Sequence, residues 1–223
     1  MREGRPACRS DVREVFVPYE WKKSEKALTF PEPFPHRSRF PSRPLSDTRG
    51  REPQRRGVPR GVGVLYSLSY AVNMLPKKGE APEGRHAYAV FPLEGVWNTA
   101  EPVPPGAVLN KDALRSTLMI RPPDFVTDGL AARGIAATNG KKPHPLYESV
   151  SFGRWNDGLC VQMLHVGPYD VDPERFSLMQ TYCAEHGLRH VSGWHREIDL
   201  SDARRTDPAR LKTVLRFRVE ACA

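Results

Sequence analysis

No run of about 18 apolar residues occurs anywhere in the chain, so no transmembrane helix is expected. The opening text MREGRPACRSDV has no apolar core of the kind a secretory signal carries, and a cytoplasmic protein with no membrane partner is the expectation. Cysteine is scarce. Cys8, Cys160, Cys183 and Cys222 form no CxxC pair, and two of them sit inside apolar patterns, so free buried thiols are expected in place of a disulfide framework. There is no HExxH and no glycine-rich phosphate loop. His186, His190 and His195 are spread over a helix end, a loop and a strand, so no metal and no cofactor are expected.

What is abundant is positive charge, +8 in all. Its placement argues against a nucleic-acid surface. Residues 1–60 hold 15 Lys and Arg against 8 Asp and Glu, whereas the remainder holds 19 against 18 and is nearly neutral. Residues 1–60 also carry nine of the 22 prolines, and the stretch PEPFPHRSRFPSRPLSDTRGREPQRRGVPR has little apolar material. Such text is expected to order poorly, leaving 61–223 as the folded domain.

Within that domain Val64, Leu65, Leu68, Ala71, Val72 and Leu75 recur at helical spacing, which predicts a helix over 62–76. AYAVFPLEGVW alternates and predicts a strand, with Pro92 marking an edge or bulge. STLMI predicts a second strand. Residues 126–158 read as a weak helix followed by a loop, linking a first half (61–125) to a second (159–219).

The second half is the most legible. Leu159 to Val166 is an apolar strand that breaks at Gly167-Pro168. Asp172, Pro173 and Glu174 open a helix, Phe176, Met179 and Cys183 line its apolar side, and Gly187 offers a left-handed stop. Trp194 to Leu200 then alternates. Trp194, Ile198 and Leu200 share one side with Arg196, and the helix is expected to pack there; His195, Glu197 and Asp199 share the other. TVLRFRV is a last strand. His165, alternating with Val161 and Met163, is expected in the core.

Both halves therefore read helix–strand–strand, and the second shows the strand before its helix. This predicts an α+β fold of two βαββ modules in a pseudo-twofold arrangement with a ligand cleft between them. Glu94 and Glu197 fall at comparable places in the repeat and are expected to face each other across that cleft.

The pieces LYSLSYAVNM, FPLEGVWN, TLMIRPPDFVT, CVQMLHVGPYDVDP, HREIDLSDARRT and LKTVLRF, over roughly residues 60–219, closely resemble the GyrI-like small-molecule-binding domain family. That resemblance implies paired βαββ modules around a ligand cleft. The family spans effector-binding domains of MerR-type activators, stand-alone drug-binding proteins, and members resembling hydrolases of cyclopropane-bearing, DNA-alkylating toxins. Glu94 and Trp97 match its PLEG-x-W motif, Tyr169 its HxGPYD motif and Glu197 the acidic position of HHEI. Two positions depart from the pattern: Asn98 stands where a second Trp is common, and Asp199 where Tyr is common.

The expected site is thus Glu94, Trp97, Tyr169, His195 and Glu197, with Glu197 and Glu94 catalytic if the protein is an enzyme. A carboxylate beside aromatic walls suits a hydrophobic, aromatic or cationic small molecule. The same carboxylate, desolvated, can activate water or donate a proton. Three classes follow: a binding module for sensing or detoxification, a hydrolase opening strained electrophilic rings, and a gyrase-inhibitor-like interaction module. No helix-turn-helix precedes the domain, so a complete transcription factor is not expected.

Overall fold

A computed structural model of the chain describes residues 19–26, 31, 34–40, 43–50, 60–75, 79, 82–99, 114–169, 172–191 and 193–222. Its helices are α1 (Trp21–Ser24), α2 (Arg60–Asn73), α3 (Asp128–Lys141) and α4 (Asp172–Glu185). Its strands are β1 (His36–Phe40), β2 (Arg43–Gly50), β3 (Leu93–Thr99), β4 (Leu114–Ile120), β5 (Val150–Trp155), β6 (Gly158–Val166), β7 (Leu188–His190), β8 (Trp194–Asp199) and β9 (Lys212–Ala221). The fold is α+β, with antiparallel pairing between all of these strands in the order β1-β6-β9-β8-β3-β4-β2-β5, and β7 beside β9.

Two β-α-β-β runs build this sheet. One is β2-α2-β3-β4; the other is β6-α4-β8-β9, with the short β7 added after its helix. Each lays its three long strands side by side, β2-β4-β3 against β6-β9-β8, and the halves meet where β3 pairs with β8. A second junction lies at the far ends. His36 to Phe40 pairs with Gln162 to Gly158, and Arg43 to Thr48 with Trp155 to Val150, in one continuous register. Only two residues separate β1 from β2 in the chain, and two separate β5 from β6, so Phe40 and Arg43, like Trp155 and Gly158, are no more than about 10 Å apart. Strands at opposite ends of the order are therefore held together, and the sheet curls into a closed wall with an inner and an outer face.

The helices cover the outer face. Val62 and Leu65 of α2 pack with Trp97, Leu118 and Ile120. Met179 and Cys183 of α4 pack with Val161, Met163, Leu215 and Phe217, and Met179 is fully buried, a contribution of about 1.5–3 kcal/mol. Helix α4 ends before Gly187, which takes the left-handed φ of +60° that favours glycine. Helix α2 is buried on a second side too, where Val64 and Leu68 meet Ile135 of α3 and Tyr147. Thr127 caps α3 by accepting a hydrogen bond from the Leu130 N–H.

Several expectations change here. The strand expected across AYAVFPLEGVW begins only at Leu93, because Pro92 lacks the N–H a ladder needs; Tyr88 makes just an isolated bridge to Tyr19. The expected linker 126–158 carries α3 and β5, the latter an edge strand of the sheet. Parts of the Pro- and Arg-rich text, expected to order poorly, form β1 and β2, with β2 paired on both sides by β4 and β5. Backbone ladders reward ordering irrespective of apolar content. Trp21 is also buried, stacked on Phe91, and Arg121 binds Glu25 at 2.6 Å. Residues 1–18, 27–30, 32–33, 41–42 and 51–59 lie outside the described residues.

Candidate functional site

The register of β3 with β8 decides which side chains meet. Gly95 lies opposite Glu197, Trp97 opposite His195 and Leu93 opposite Asp199, so these six share the outer face. Glu94 lies opposite Ile198 and Val96 opposite Arg196, and these share the inner face. Glu94 and Glu197 therefore point to opposite sides of the sheet and do not face each other. Equivalent places in a repeat fix similar strands but not parity, and one residue of offset turns a side chain through the sheet.

On the inner face Glu94 receives a hydrogen bond from the Arg196 guanidinium at 2.5 Å. Asp157 lies 2.9 Å from a second Arg196 nitrogen and 2.8 Å from Arg216, which also donates to Gln162. Arg196, Asp157, Arg216 and Gln162 are all buried. Two cations and two carboxylates thus neutralise one another inside the closed wall, with Trp155 beside the Arg196 guanidinium. Burial pushes the Arg216 pKa down, opposed by Asp157.

The outer face holds the other expected residues. Helix α2 packs on β3 and β4 through Trp97, Leu118 and Ile120, and α4 packs on β6 and β9, so the outer face of β8 lies between the two helices. His195 Nε2 and Glu197 Oε1 are 2.9 Å apart, with the side chains 22% and 19% exposed. Phe176 of α4 meets the His195 ring edge to face at 4.6 Å, so α4 leans on the titratable side of β8 and not, as expected, on the Trp194 side. The alternation alone could not say which side the helix takes, because Arg196 made the inner set look half polar.

Trp97 is 8% exposed and lies flat over Gly95; a Cβ added there would sit 2.9 Å from its Nε1. This close approach explains the glycine, which stands opposite Glu197 in the β3–β8 register. Among the described residues the buried Trp97 N–H has no hydrogen-bond partner. Tyr169, on the turn before α4, donates to Asp199 Oδ1 at 3.5 Å. Burial, and next the Glu197 charge, raise the Asp199 carboxyl from 3.8 to about 7. Burial and Asp199 likewise raise the Tyr66 hydroxyl, which reaches the same place from α2.

Of the expected site, Trp97, Tyr169, His195 and Glu197 are brought to one face, and Glu94 is not. Asp199 and Tyr66 were missing. The i, i+2 spacing of Glu197 and Asp199 was the available signal for the first; nothing marked Tyr66 out among helix residues. Among the described residues no group of His, Cys, Asp and Glu is arranged to hold a metal ion. Cys160 is buried, with its thiol pushed up to about 12 by burial and then Asp157, and is no nucleophile. His165 is in the core, its Nε2 3.1 Å from the Pro168 carbonyl.

No protein-family model and no curated protein sequence matches the chain. Solved structures do. An uncharacterized conserved protein from Listeria innocua is 32% identical with a TM-score of 0.81, covering 90% of this chain and 99% of that one. A hydrolase from Listeria innocua, encoded by lin2189, is 30% identical with a TM-score of 0.82, covering 92% of this chain and 100% of that one. The C-terminal domain of EcmrR is 13% identical with a TM-score of 0.51, covering 84% of this chain and 97% of that one. This last likeness is one of fold alone.

Proposed function

Since the chain belongs to the same family as these Listeria innocua proteins, we propose that it binds a small hydrophobic, aromatic or cationic molecule in the cleft between α2 and α4 and hydrolyses it. The observations that carry the reading are the Glu197–His195 pair at 2.9 Å and, on the same sheet face, the buried Trp97 indole N–H, which has no hydrogen-bond partner among the described residues. A buried donor left unpaired costs about 1–3 kcal/mol, which a ligand acceptor recovers on binding. Beside it, Glu197 is placed to take a proton from water while His195 fixes its orientation. Trp97, Phe176 and Tyr169 supply the apolar walls. The hydrolase description of one relative supports turnover over binding alone. Strained electrophilic rings, the substrate class implied by the sequence resemblance, suit a site that needs only a positioned water and a carboxylate.

The test uses the full chain with cyclopropane-bearing electrophiles and cationic dyes, reading affinity by thermal shift and turnover by mass spectrometry of the water adduct. A hydrolase loses about 100-fold or more in turnover on Glu197→Gln while affinity barely changes. A pure binder shows no turnover, and the same change weakens cationic dyes by about 1.5–3 kcal/mol and spares neutral ones. Trp97→Ala lowers affinity in either case. If neither substitution alters either quantity, the cleft has been placed on the wrong residues.

A further inference from the structure

We propose that Asp199 is the proton donor of this cleft, serving substrates whose departing atom leaves as a basic oxygen or carbon anion; this rests on the hydrolase reading above. The placement comes from β8. Glu197 and Asp199 stand two residues apart on one strand face, so their backbones are roughly 7 Å apart. That gap accommodates a water and the carbon it attacks. Around Asp199 stand Glu197 on its own strand, Leu93 opposite on β3, Thr213 opposite on β9, Tyr169 from the turn and Tyr66 from α2. The Thr213 hydroxyl is buried, with no hydrogen-bond partner among the described residues. Among the described residues no cation pairs with Asp199; the nearby Arg204 is engaged with Asp202 at 2.9 Å. An acid with an anionic neighbour, no cation and a half-buried position holds its proton, here up to about pH 7.

The step balances as follows. Water oxygen bonds to the electrophilic carbon and gives one proton to Glu197. The bond to the departing atom breaks, its electron pair passes to that atom or, where the atom is conjugated, to the oxygen at the end of its π-system, and the atom that then bears the pair takes the Asp199 proton. The products sum to substrate plus water, and the proton on Glu197 returns to Asp199 through solvent. Departing atoms that form stable anions need no such proton.

A pair of spirocyclopropyl cyclohexadienones tests this, one unsubstituted and one bearing a nitro group, since ring opening puts the electron pair on the dienone oxygen and the nitro group makes the resulting phenolate weakly basic. Asp199→Asn in the full chain is expected to lower kcat/KM about 100-fold on the unsubstituted probe and less than about tenfold on the nitro probe. Asp199→Glu should recover much of the loss. Wild-type kcat/KM on the unsubstituted probe should fall as pH rises through about 7, a limb absent from Asp199→Asn. Equal losses on both probes, or no loss on either, overturn the proton-donor role while leaving the hydrolase reading standing. No wild-type turnover of either probe removes both.

Discussion

Asp199 offers a stability measurement that needs no substrate. Lifting a carboxyl from 3.8 to about 7 disfavours its ionised form by up to about 4 kcal/mol. Asp199 is only partly buried, and water and local relaxation reduce that to about 2 kcal/mol. The folded protein keeps this proton up to about pH 7, whereas the unfolded chain releases it near 4. The native state binds more protons in that window, so stability from this group falls as pH rises through it and is lowest above 7. Asp199→Asn cannot ionise. Relative to wild type it should therefore gain about 2 kcal/mol between pH 4 and pH 8.5, measured by urea unfolding at both values. Other titrating groups are common to both proteins and cancel. Glu197→Gln, which removes the second cause of the shift, should shrink the difference. A difference between Asp199→Asn and wild type that does not change with pH would refute the reasoning.

Two further outcomes follow from the packing. Gly95→Ala should cost about 1–3 kcal/mol in denaturant unfolding, because the new methyl meets the buried Trp97 ring at 2.9 Å; in a Trp97→Ala background the same change should cost almost nothing, and equal costs in both would deny the contact. Glu94→Ala should cost about 3 kcal/mol by leaving buried Arg196 with Asp157 alone, yet leave dye affinity unchanged, since the Glu94 side chain lies on the inner face. A loss of affinity without a loss of stability would return Glu94 to the cleft.

The sequence by itself determined the element order of the second half almost to the residue: helix 173–186 against α4 at Asp172–Glu185, and the strand from Leu159 against β6 at Gly158–Val166. Helical spacing, a cap, a Gly stop and strict alternation are local signals, and local physics enforces them. It also set His195, Glu197 and Asp199 on one face, since alternation in a strand is a property of the backbone. What no single segment carries is pairing. Whether Glu94 joins Glu197 depends on β3 meeting β8 with Gly95, not Glu94, opposite that carboxylate. The same holds for β1 and β2, where ladder partners far away in the chain order text that looks unfit to fold. The site's proton chemistry is tertiary as well: alternation places Asp199 beside Glu197, but the burial that first raises its carboxyl comes only with the fold. Composition and periodicity act along the chain, whereas register, burial and the field around a carboxyl arise only where distant segments meet.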